Sequence, residues 1–156
     1  MSNGERRAAV AALIGLAGSP DHRDRADAGR GLASFAEMPE AGEALLGLVL
    51  DAGDTFVTRV TAEALLRRQD SAGLAVVAAA LATADLDHVD WIHTAVLDVF
   101  GVIDGERDAA VRECEALERD ADERTRQGAG QLTAVLTGIT PILHAARNDR
   151  SPTRCR

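Results

Sequence analysis

Hydrophobic positions along the chain recur at helical intervals. In TFVTRVTAEALLRRQ (55–69), Val57, Val60, Ala64 and Leu65 share one face, and after Asp87 so do Val89, Ile92, Val96, Val99 and Phe100. No segment alternates with period two for long, so no strand is predicted. The stretch SAGLAVVAAALATA (71–84) differs from the rest: it has neither a charged nor an aromatic side chain. A helix that is apolar all round is buried all round, so 71–84 is expected at the centre of the fold. Its fourteen residues would rise about 21 Å, too little for a bilayer core of ~30 Å.

The polar punctuation is periodic. Asp21, Asp54, Asp87 and Asp120 stand 33 residues apart, each ahead of a helical pattern. Between them lie turn signals at AEMPE (36–40), RQDSAG (68–73), VIDGER (102–107) and TGITP (137–141). Spacing of this kind is the mark of internal-repeat architectures. Ser2 and Glu5 form a capping box for a first helix, which is the expected reading of the N-terminal stretch rather than a secretory signal. Ser19–Pro20, Pro39 and Pro141 each suit a helix start, and Gly53 a helix stop. Nine helices are predicted, near 5–17, 20–36, 39–52, 55–68, 71–84, 88–102, 105–119, 121–137 and 141–146. They give an N-terminal helix followed by four A/B pairs. Residues 1–146 read as one domain, and RNDRSPTRCR (147–156) as a disordered basic tail.

The segment DTFVTRVTAEALLRRQDSAGLAVVAAAL (54–81) resembles a HEAT or HEAT-like repeat. The residues that carry the likeness are Val57, Arg59, Ala62, Ala64, Leu65, Asp70 and Ala72, followed by an apolar second helix. WIHTAVLDVFGVIDGERDAAV (91–111) follows the pattern with Asp104 in the turn, and RADAGRGLASFAEMPEAGEALL (25–46) with Glu37 where Asp70 stands. The resemblance implies an all-α fold, a right-handed α-α superhelix of helix pairs. It also implies a scaffold, adaptor or binding role; a few such proteins bind DNA or act as lyases. Fold likeness alone names no activity.

Composition narrows the function. The net charge is −8 and all 17 basic residues are Arg. An acidic surface disfavours nucleic acid, whose phosphates need a cationic partner, and suits a basic protein. The missing lysine, with abundant Ala, Gly and Asp, suggests a GC-rich bacterial genome. The two cysteines, Cys114 and Cys155, form no framework, which favours a reduced, cytoplasmic setting. No membrane partner is expected.

Candidate chemistry is sparse. His88, Asp90 and His93 in DHVDWIH (87–93) are the densest polar cluster, but the histidines are five apart and do not share a helical face. A helix start, with Asp85 or Asp87 as cap, accounts for them. DGERD (104–108) lacks the alternating ligands of a calcium loop, so Asp104 is read as a turn cap. His22 and His144 stand alone, and Cys114 reads as a packing residue. No nucleophile motif or phosphate loop is present. The expectation is therefore a non-enzymatic protein-binding module, an adaptor, scaffold or immunity-type inhibitor, with no catalytic residue, metal or cofactor. The alternative is a HEAT-like enzyme or cofactor-handling protein, lyase-like or glycosylase-like. The candidate partner-binding residues are Asp51, Asp54, Asp85, Asp87, Asp90, Asp120 and Asp122, which a regular stack would bring to one acidic inter-repeat edge. Helix 105–119 would join them.

Overall fold

The computed structural model describes residues 1–146, and the tail 147–156 lies outside them. Eight helices follow one another: α1 (Asn3–Ala17), α2 (His22–Ala33), α3 (Pro39–Val49), α4 (Thr55–Arg67), α5 (Ser71–Leu81), α6 (Leu86–Phe100), α7 (Asp104–Leu117) and α8 (Glu123–Thr137). The fold is all-α among the described residues, with one isolated parallel bridge, Ile103 to Leu143. No helix there is long and apolar enough to cross a membrane.

Aspartate starts most of these helices. The Asp21 carboxylate accepts from Arg23 N–H, Asp54 from Phe56, Asp70 from Gly73, Asp85 from His88 and Asp122 from Thr125. The 33-residue arithmetic thus locates two of the inter-repeat caps and misses two. Asp85, not Asp87, caps α6, because α6 begins two residues early. Asp120 caps the turn rather than the helix: it accepts from Asp122 N–H at 2.9 Å, and Asp122 takes the N-cap. At α2 the cap is Asp21, while Ser19 accepts from Asp21 N–H and donates to Asp24. Ile103 holds the N-cap of α7 without a side-chain bond, so Asp104 is not its cap. Helix α3 ends at Val49, ahead of the predicted stop at Gly53.

The ninth helix, 141–146, does not form. The N–H groups of Ile142 and Leu143 donate instead to the Gly101 and Val102 carbonyls, and Asp104 N–H to the Leu143 carbonyl. A six-residue helix cannot repay its nucleation cost, whereas an extended strap satisfies the backbone at once. The last pair is therefore half a pair.

Helix α4 lies between α2 and α6 in one layer, and α1, α3, α5 and α7 succeed one another in the other. Helix α8 breaks this order. It packs chiefly on α5 and α7 and touches α6 only slightly. Small residues permit the approach: a methyl group at Gly128 would lie 1.5 Å from the Ala78 carbonyl oxygen. The α2–α4 contact is just as close, since a methyl at Gly29 would meet Thr61 Oγ1 at 2.1 Å.

Helix α5 occupies the centre, with Leu74, Val77, Ala78, Ala80 and Leu81 in the core. It is not buried all round, however. Ala72, Ala75 and Val76 are half-buried and line an open groove. An apolar sequence marks α5 as central but does not require four covered sides when the open side is mostly alanine.

Candidate interaction grooves

Four of the seven acidic candidates meet in one groove. Asp51 and Asp54, in the α3–α4 turn, face Asp85, Asp87 and His88, at the start of α6, across a space of about 480 Å³. Most of this charge is held internally. Asp51 accepts from Arg25 Nε (2.8 Å) and Nη2 (3.1 Å), and from the N–H groups of Gly53 and Asp54. Burial alone would raise its pKa, but the guanidinium and the amides outweigh burial and hold the carboxyl below its usual range. Arg25 also donates through Nη1 to the Ser19 and Pro20 carbonyls, both at 3.0 Å. It thereby ties the α1–α2 turn to the α3–α4 turn.

His88, in the first turn of α6, ties the α5–α6 turn to the α3–α4 turn. Its Nε2 lies 2.8 Å from the Asp51 carbonyl oxygen and its Nδ1 2.6 Å from the Asp85 carboxylate. Both neighbours only accept, and a neutral imidazole has a single N–H, so the geometry calls for the imidazolium. The Asp51 carbonyl and then the Asp85 carboxylate raise the pKa of His88 against the opposing pull of burial. The backbone N–H and the ring of His88 in turn lower that of Asp85.

Asp87 makes no ion pair or side-chain hydrogen bond among the described residues and is the groove's free carboxylate. Asp90 is exposed on α6, outside the groove. Asp120 and Asp122 leave the predicted edge altogether. Because α8 turns back onto α5, they line a second groove of about 570 Å³. Its floor is Leu46 of α3, Ala72, Ala75, Val76 and Ala79 of α5, and Leu117 of α7. Its rim carries Glu37, Glu43, Asp120, Asp122 and Arg124, and Glu37 is also paired with Arg6 and Arg68. Glu43 is 4.0 Å from Arg124 and highly exposed.

His88, Asp90 and His93 do not converge. His88 is engaged as above, and among the described residues no three His, Cys, Asp or Glu side chains are grouped as a metal ion requires. The Asp104 carboxylate accepts from Ala145 N–H rather than facing an open loop. Cys114 is buried, and desolvation together with Glu118, Glu113 and Glu115 pushes its thiol up to about 12, a packing role rather than a nucleophile's.

The stitching arginines were missed by sequence reasoning, although a signal exists. Arg25 and Arg126 each follow a capping aspartate by four residues, Asp21 and Asp122. Arg126 donates to the Asp120 and Ala121 carbonyls just as Arg25 does to Ser19 and Pro20. At the opposite ends of the helices, Arg68 binds the Ala33 carbonyl, Glu37 and Asp70, and Arg6 pairs with Glu37.

Comparison of the chain with models of protein families, with curated proteins and with solved structures finds no match in any of the three.

Proposed function

We propose that this chain is a non-enzymatic protein-binding module that receives a basic segment of a partner protein in the α3–α5 groove. One observation carries the reading: an apolar floor of small side chains beneath an acidic rim, on which Glu43 is highly exposed while Glu37 is paired with Arg6 and Arg68. Apolar side chains of the partner would enter the floor, and its Lys or Arg would meet the rim. The chain's net charge of −8 would steer such a partner from a distance. The acidic edge is the weaker docking surface, because its lining of Asp51, Gly53, Asp54, Thr55, Asp85, Asp87 and His88 offers no apolar floor.

In this proposal the HEAT-like character holds through α6, with the two alternating layers winding as a right-handed superhelix, and α8 closes the stack by folding onto α5. A lyase-like or glycosylase-like role would draw support from a pocket shared by His88, Asp90 and His93. His88 instead shares its groove with Asp85 and Asp87.

Affinity capture from the source organism, followed by association kinetics with the purified partner, tests the reading. The expected partner is basic, and association slows as salt is added. Glu43→Lys slows it further at low salt than at high salt. A partner whose association is indifferent to both ionic strength and Glu43→Lys contradicts the proposal.

A further inference from the structure

The seam between α2 and α4 carries charge of the other sign. Two open spaces lie end to end along it. One, of about 380 Å³, is walled by His22, Arg23, Asp27, Arg30 and Phe56. The other, of about 260 Å³, is walled by Arg30, Val60, Glu63, Ala64 and Arg67. Arg30 borders both, so the two spaces form one groove. Its α4 wall follows from helical spacing, since Phe56, Val60, Glu63 and Arg67 fall within a single stripe. That stripe runs about 16 Å.

Three arginines stand against two carboxylates here, in a chain that has 25 acidic residues to 17 arginines. Both carboxylates answer to a neighbour on their own helix. Asp27 accepts from Arg30 Nη1 at 2.8 Å and Glu63 from Arg67 Nη2 at 2.7 Å. Pairs of this kind on an open surface contribute little, so either guanidinium can turn to another carboxylate at small cost. Arg23 makes no ion pair or side-chain hydrogen bond among the described residues.

The aromatic side chains gather at the same place. Of the four Phe and Trp residues, Phe56 and Trp91 are the exposed ones. Phe56 lines the groove, with the His22 ring edge-on at 6.0 Å. Trp91, on α6, flanks the other side of α4, where the Arg59 guanidinium lies 6.0 Å from its ring centre. Arginine and aromatic side chains are the residues in which interface hot spots are enriched.

We infer that the α2–α4 groove binds an extended acidic segment of a partner protein, with its carboxylates on Arg23, Arg30 and Arg67 and an apolar side chain on Phe56 and Val60. A guanidinium fork matches a carboxylate with two parallel hydrogen bonds, and about five extended residues span the groove. A nucleic acid strand would carry its charge past the groove, along a surface of net charge −8. A short acidic segment meets the arginines alone. This groove shares no lining residue with the α3–α5 groove, and neither reading depends on the other.

NMR of the full chain tests the inference, with amide and arginine Nε–H shifts followed as a blocked peptide is added to roughly 2 mM, which captures weak association. The peptide is glutamate with leucine at every third position, and about ten residues give twice the length the groove needs. The expected shifts run from His22 and Phe56 to Arg67. Arg23→Glu with Arg30→Glu should weaken binding about tenfold, and Phe56→Ser should weaken it with every charge kept, both at unchanged melting midpoints. Glu43→Lys, in the other groove, should leave the groove shifts as they are. A peptide that shifts nothing in the groove, that binds equally with Gln in place of Glu, or that is indifferent to both sets of substitutions overturns the inference. Groove shifts with a thymidylate oligonucleotide and none with the peptide would overturn it as well.

Discussion

At the residue scale, His88 is the clearest case of a side chain whose role depends on its charge. Its pKa is raised in the folded protein, by the Asp51 carbonyl and then by Asp85. A raised folded pKa means that the stabilisation is complete below the unfolded value, about 6.5 for histidine, and is lost as pH rises through the folded value. Asp85 has the opposite sign: its pKa is lowered, so its share is present at neutral pH and is lost only in acid. The His88 share is therefore complete below about pH 6.5 and declines as pH rises above it, while the Asp85 share persists. His88→Ala should cost about 1 kcal/mol at pH 6 and less at pH 8, a discount on a charged hydrogen bond for partial exposure. Urea melts of the two proteins across this range check the claim. Parallel pH curves, with a constant gap between them, would remove His88 from the account. The sequence marked His88 as part of a polar cluster but gave it the wrong neighbours. Asp90 and His93 are near it along the chain, whereas its second partner, the Asp51 carbonyl, is 37 residues away.

At the element scale, local patterns were read well and long-range docking was not. Helices α1 to α8 lie within a few residues of their predicted places, because capping aspartates and apolar spacing act within one or two turns. Residues 141–146 were misread because Pro141 signals a helix start as readily as a break, and only the open carbonyls of Gly101 and Val102 decide the matter. The docking of α8 depends on Gly128 meeting Ala78, a contact that no local periodicity contains. Two glycines of the same helix test it. Gly128→Ala drives a methyl into the Ala78 carbonyl and should destabilise the fold by about 3 kcal/mol or more. Gly130 has nothing within 4 Å of a methyl, so Gly130→Ala should stabilise by roughly 0.5–1 kcal/mol through better helix propensity. Equal effects of the two substitutions on the melting midpoint would contradict the packing of α8 on α5.

For the whole molecule, the acidic character was legible in the sequence, and its distribution was not. A regular stack puts all seven candidate aspartates on one edge. In the fold the return of α8 splits them: Asp51, Asp54, Asp85 and Asp87 line one groove, and Asp120 and Asp122 line another. The first groove is lined by two polar turns and the second has the apolar floor, which moves the proposed partner site to the second. Small side chains made α5 look like a helix covered on every side, and the same small side chains leave room for a partner along Ala72, Ala75 and Ala79. The central claim is that a basic partner segment lies in this groove. Amide hydrogen exchange of the full chain with and without its captured partner tests it most directly. The account predicts slowed exchange along α5 and the facing part of α3, with the turns at 51–54 and 85–88 unchanged. Protection confined to those turns, with α5 and α3 exchanging as in the free protein, would contradict it.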